Sequence, residues 1–145
     1  MAKKQLPRGL RNYNPGNIRK NNIVYAGEIV PSQDDEFKQF VTMAYGYRAM
    51  FVVLYTYQHR YGLDTIARMI ARYAPENENN TAAYIDAVAD RSGVPANCHI
   101  TATNGDVMIP IVAAMSAVEN GVEAKMHEVE EGWKLFIYDY RNKLL

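Results

Sequence analysis

From Tyr47 to Tyr61 the chain is apolar almost all the way round a helical wheel, with Met50, Phe51, Val53, Leu54 and Tyr57 on several faces. A helix without a polar stripe belongs at the centre of a fold, so other elements must wall it in. Gly62 ends it. The remaining periodic segments supply the walls. Asp64 is placed to cap a helix carrying Ile66, Met69, Ile70 and Tyr73, which Pro75 stops. Asn80 or Thr81 caps a third helix running to about Ser92, closed by Gly93 and Pro95. A fourth runs from about Val107 to Glu119 with Gly121 as its cap, and Pro110 near its start is tolerated. The last carries Met126, Val129, Trp133, Phe136, Ile137, Tyr140 and Leu144 at close to 3.6-residue spacing. Arg8 to about Phe40 is loop-rich, with a short hairpin expected in "IVYAGEIV" (Ile23 to Val30) and an extended piece in "FKQF". The expected class is mainly α, or α+β with a small β or irregular segment near the N-terminus, in one domain over residues 1–145.

Charge narrows the function classes. Sixteen Lys and Arg balance sixteen Asp and Glu, and this neutrality argues against a general nucleic-acid or membrane-surface binder. The balance is uneven along the chain: Lys3, Lys4, Arg8, Arg11, Arg19 and Lys20 precede the first acid, Glu28, whereas Glu119, Glu123, Glu128, Glu130 and Glu131 surround Lys125. The two ends would face each other if the fold brings them together. Cys98 is the only cysteine, so neither an intrachain disulfide nor a Cys-based metal site is expected. His59, His99 and His127 have no metal spacing, and no metal or cofactor is expected. "MAKKQLPRGL" lacks the apolar core of a signal peptide, so synthesis in the bacterial cytoplasm is expected. The longest apolar run, Val107 to Met115, is too short to span a bilayer.

One stretch does not read as packing: "RGLRNYNPGNIRKNN", Arg8 to Asn22. It is basic and rich in asparagine, but it lacks the P-loop pattern and any basic helix. Asn14 can close its own turn and Pro15-Gly16 fixes a reversal, leaving Asn17 and Arg19 to face a groove. Among the acids, Glu119 lies in the last turn of an apolar helix, sharing a face with Val112, Met115 and Ser116. Burial and the negative end of the helix dipole both favour its protonated form, which a general acid requires. The bland alternative, a glutamate pointing into water, is the commoner case for such a position. Glu28 sits after a glycine in a turn, and Asp34, Asp35 and Glu36 look like a solvated run. Arg68 and Arg72, four residues apart, look like a solvated or ion-paired face. Eleven tyrosines exceed four Phe and one Trp; Tyr55 and Tyr57 read as core, while Tyr73 and Tyr84 suit core and sugar-stacking roles equally.

Several segments together resemble one family. "PRGLRNYNPGNIRKN", the Gly27 turn, "DDEFKQFVTMAYGYRAM", "YGLDTIARMIARYAPENENNTAAYIDAV" and "MSAVENG" are similar to the lysozyme-like virion proteins of bacteriophages and prophages, relatives of lytic transglycosylases and glucosaminidases. The likeness runs from Pro7 to about Gly132, and "NPGNIR" and "RYAPENENNT" are its most specific parts. In ordinary members of the wider group the helix bearing the catalytic glutamate comes first. Here "PIVAAMSAVENG" resembles that helix but follows the substrate segments, which implies a circularly permuted lysozyme-like domain. Tyr25 and Tyr73 stand where many relatives carry Trp, and Glu123 is a nearby rival acid.

The resemblance implies cleavage of the β-1,4 bond between N-acetylmuramic acid and N-acetylglucosamine in peptidoglycan. Glu119 would be the catalytic residue, and Asn14, Asn17, Arg19, Tyr73, Asn80 and Tyr84 would contact substrate. A hydrolytic muramidase or glucosaminidase, with Glu28, Asp34 or Asp35 assisting, is the enzymatic alternative; a non-catalytic virion or glycan-binding component is the other. The implied partners are peptidoglycan strands and other virion proteins, with action at the cell wall or periplasm or within a virion.

Overall fold

The computed structural model describes residues 5–143; Lys3, Lys4 and Leu144, named above, lie outside them. The fold is mainly helical. In chain order it comprises α1 (Arg8–Arg11), β1 (Glu28–Ile29), β2 (Gln39–Phe40), α2 (Met43–Tyr61), α3 (Ile66–Tyr73), α4 (Thr81–Ser92), α5 (Gly105–Asn120) and α6 (Met126–Lys143).

α2 is the central helix, with Tyr47, Ala49, Met50, Phe51 and Leu54 fully buried. It packs most extensively on α6, where the Phe51 ring meets Trp133 edge-on at 5.0 Å and stacks near Phe136 at 6.0 Å. Arg48 adds a 2.7 Å ion pair to Asp139 across the same helix pair. α5 forms the second wall. Met108, Ile111, Val112 and Met115 are each at most 2 % exposed, burial that contributes about 1.5–3 kcal/mol per side chain. α5 packs on α4, and α4 on α3, closing the remaining side.

The helix ends follow local chemistry. Thr42 caps α2 by accepting from Tyr45 N–H, so the helix begins at Met43, a full turn ahead of the expected Tyr47. The "YGY" step looks unfavourable for a helix, yet a side chain at Gly46 would overlap Tyr13 O and Pro15 of the loop packed against it. α3 is capped by Thr65, whose hydroxyl accepts from Arg68 N–H at 3.1 Å, and not by Asp64. Asp64 is committed instead to Arg68 and His99, both at 3.0 Å. Asn80 caps α4, and Gly121, at φ +71°, closes α5 in the left-handed conformation that favours glycine.

The β segment differs from the expected hairpin. Only Glu28–Ile29 is paired, and its antiparallel partner is Gln39–Phe40, in the register Glu28↔Phe40. The reason is visible in the side chains. Ile23, Val24 and Val30 lie more than half exposed, whereas Glu28 turns inward to Lys38. A single bridge, Arg19↔Phe37, extends this patch to the asparagine-rich loop.

Candidate functional site

The loop is fastened from within before it faces anything. Asn14 is fully buried; its Nδ2 donates to Ile18 O at 3.0 Å and Lys38 O at 2.9 Å, and its Oδ1 accepts from Ile18 N–H at 3.0 Å. Every side-chain group is thereby used. Asn14 is a staple and cannot meet a ligand, so the expectation that it contacts substrate is corrected. Tyr13 (φ +51°) and Asn17 (φ +49°) take left-handed backbone in the reversal, a conformation Asn tolerates better than most residues. The loop's carbonyls are then tied to the helices. Tyr73 Oη donates to Gly16 O at 2.5 Å and Asn120 Nδ2 to Pro15 O at 2.8 Å.

Those ties bring the loop to the end of α5. There the residues of "ENG" divide the work: Gly121 ends the helix, Asn120 holds Pro15, and Glu119 receives two donors. Its Oε1 accepts from Asn17 Nδ2 at 2.9 Å and its Oε2 from Tyr84 Oη at 2.9 Å. Glu119 is half-buried in the wall of a groove of about 570 Å³ that Asn17, Arg19, Tyr25, Tyr57 and Tyr73 also line. Burial pushes its carboxyl pKa upward, and the two donors only partly offset this. Burial likewise raises the Tyr84 and Tyr73 hydroxyls well above their ordinary range, with the nearby Glu119 charge as the second cause.

The raised pKa also bears on stability. Because the folded pKa lies above the ordinary value of 4.5, the folded state holds this proton more tightly than the unfolded chain. Below the unfolded pKa both states are protonated and nothing is lost; as pH rises through the folded pKa, a penalty for the buried charge develops. Glu119→Gln can accept from Asn17 and donate to the Tyr84 oxygen. It is expected to raise stability at pH 7–8 by about 1 kcal/mol, a gain that fades as pH approaches 4. Thermal unfolding of both proteins across that range checks the sign.

The other sequence candidates divide. Asn17, Arg19 and Tyr73 line the groove. Tyr84, only 6 % exposed, reaches Glu119 from beneath and so acts on the carboxylate more than on a groove surface. Asn80 is exposed and caps α4, its Oδ1 accepting from Ala83 N–H at 3.1 Å, and it lies outside the groove lining, one residue beyond Asn79, which lines it. Of the rival acids, Asp35 is exposed and outside the groove lining, and the other three are committed elsewhere. Glu28 pairs with buried Lys38 at 3.0 Å. Asp34 is no solvated loop acid: Arg8 binds it at 2.7 Å, joined by Asn12, and this holds its carboxyl well below the ordinary range. Glu123 is exposed and pairs with Arg91. The basic loop therefore pairs largely with Asp34 and Glu36, and it meets the C-terminal acidic segment through Glu119 alone among the described residues.

Tyr25, singled out with Tyr73 where relatives carry Trp, lines the groove, and sequence reasoning missed Tyr57, Arg60, Arg72 and Glu78, which line it too. Tyr57 reads as core beside Tyr55. Tyr55 does stack with His59 and meets Tyr140 edge-on, but Tyr57 is turned to the groove, its hydroxyl pushed up to about 12 by burial. The available signal was the i, i+3, i+4 set Tyr57, Arg60 and Tyr61 on one face of α2. Among the described residues no cluster of His, Cys, Asp or Glu is suited to a metal ion, and no helix is long and apolar enough to cross a membrane.

No protein-family model matches the chain. It is, however, 37 % identical over 135 residues to protein P5 of Pseudoalteromonas phage PM2, covering 90 % of this chain and 82 % of the phage protein. The chain belongs to the P5 family. The P5 kinship makes the chain a phage protein by descent.

Proposed function

We propose that this P5-family protein is a lytic transglycosylase acting on the MurNAc–GlcNAc β-1,4 bond of peptidoglycan, on a circularly permuted lysozyme-like fold, with Glu119 as its acid–base group. We place its action at the bacterial cell wall, delivered as a virion component. The observation that carries this reading is the half-buried Glu119 carboxyl, its pKa raised by burial, held between Asn17 and Tyr84 in an open groove lined by tyrosines.

The arrangement suits both steps of such a reaction. A raised pKa keeps a protonated fraction available nearer neutrality, so Glu119 can give its proton to the glycosidic oxygen as the C–O bond breaks. While Glu119 is protonated, the Tyr84 hydroxyl can rotate to accept from it. Once the proton leaves, Tyr84 and Asn17 both donate to the new carboxylate and stabilise it. The carboxylate then removes the proton of the muramyl 6-hydroxyl, whose oxygen closes on the anomeric carbon to form the 1,6-anhydro ring. The substrate's N-acetyl group supports the positive charge in between, so one protein carboxylate suffices.

A hydrolytic outcome has one observation in its favour: Glu78 also lines the groove, near Arg19 at 3.8 Å, where it can direct a water. Product mass separates the two. Digestion of purified peptidoglycan is expected to release muropeptides one water lighter than their hydrolytic counterparts. Products carrying the full water would replace the transglycosylase reading with the hydrolytic one.

A further inference from the structure

The groove carries positive charge that the chemistry at Glu119 does not use. The last turn of α2 presents Tyr57, Arg60 and Tyr61 on one face, and Arg72 comes from the last turn of α3. The Arg72 guanidinium lies 3.8 Å from the Tyr61 ring centroid and 5.4 Å from that of Tyr57. The guanidinium thus rests on the Tyr61 face with Tyr57 nearby, a contact that leaves its N–H groups available to a planar acceptor. Arg68, one turn earlier on α3, is committed to Asp64 at 3.0 Å. Arg60 and Arg72 have no carboxylate partner among the described residues, and both line the groove that contains Glu119. Helix C-termini attract cations in any case, but that attraction does not explain a guanidinium laid over aromatic rings with no carboxylate partner among the described residues.

Building on the peptidoglycan reading, we propose that Arg60 and Arg72 form a carboxylate-binding subsite for the short peptides that branch from the muramyl units. The protein thereby favours strands whose stem peptides carry free carboxylates. A carboxylate fits the Arg72 fork in bidentate fashion, and Arg60 adds a second charge on the same wall. Groove length beyond the scissile bond is thus used to read a branch of the polymer as well as its sugars.

The test is binding, which does not depend on turnover. Sacculi are prepared unmodified and with their carboxylates amidated by carbodiimide and ammonia, and the wild-type chain is cosedimented with each. Amidation is expected to weaken binding about tenfold, and Arg72→Gln or Arg60→Gln is expected to erase most of that difference, while Arg91→Gln, the same charge change outside the groove, retains it. Unfolding temperatures of the variants separate lost recognition from lost fold; Arg60 is exposed and its removal opens no cavity. Equal binding to the two preparations, or a preference that survives in both groove variants, overturns the subsite. A retained preference in a chain that releases no fragments supports the subsite and instead removes the transglycosylase activity.

Discussion

Lys38→Met is expected to destabilise the protein by about 3–5 kcal/mol, a large share of the stability of a chain this size. Lys38 is 1 % exposed and its partner Glu28 6 %, so the pair is removed from water. Lys38 Nζ donates to both Glu28 oxygens at 3.0 and 3.1 Å and to Ile23 O at 2.7 Å, and lies 5.4 Å from the Tyr25 ring. Removing the ammonium leaves a buried carboxylate whose remaining partner is Tyr25 N–H, at 3.0 Å. The penalty is that of an uncompensated charge, not the net worth of the pair. The double variant Glu28→Gln/Lys38→Met is therefore expected to recover more than half of the loss, measured as the shift in denaturant midpoint at pH 7. A Lys38→Met protein within about 1 kcal/mol of wild type would show that water reaches the pair freely. Because Tyr25 lines the groove, this ion pair also positions one wall of the site.

Under the proposed mechanism, in which one group serves both proton transfers, Glu119→Gln is expected to lower the rate of peptidoglycan cleavage by about 10²–10⁴-fold, towards the upper end. The substitution keeps the size of the side chain and the Asn17 and Tyr84 contacts, and it is expected to stabilise the fold at neutral pH. Lost activity therefore cannot be assigned to unfolding. In the wild type the rate is expected to fall as pH rises through the raised Glu119 pKa, because the proton to be donated is then gone. The variant's residual rate is expected to lack that limb.

Much of the helical frame is legible in the sequence because apolar side chains recur with the helical period. Met108, Ile111, Val112 and Met115 mark the buried side of α5, and Gly62, Gly93 and Gly121 stop three helices where expected. What escapes is set by contacts distant in sequence. Glu28 looks like a turn residue until Lys38, ten positions later, is folded onto it. Asp34 looks solvated until Arg8 arrives from twenty-six residues away. Gly46 looks like a helix breaker until the backbone of Tyr13 is packed against it.

The site shows the same division. Local patterns single out Glu119 and Asn17: a glutamate ending an apolar helix, and an asparagine after a Pro-Gly reversal. Their 2.9 Å contact spans 102 residues and has no local signature. Asn14 and Asn80 share the chemistry of Asn17, but Asn14 spends all its side-chain hydrogen bonds on backbone, and Asn80 gives its Oδ1 to the start of α4. Composition cannot tell an asparagine that binds its own loop from one that faces a groove. Burial can. Tyr57 and Tyr55 make the matching pair among the tyrosines, two residues apart on one helix and turned towards different surroundings.

The role of Glu119 is tested most directly by mass spectrometry of purified peptidoglycan digested in parallel with the wild-type chain and with Glu119→Gln. Anhydro-ended muropeptides are expected from the wild type and only trace amounts, at least about a hundredfold less, from the variant. Equal yields from the two proteins, or no released fragments from a folded wild-type chain, would contradict a transglycosylase built around this carboxyl.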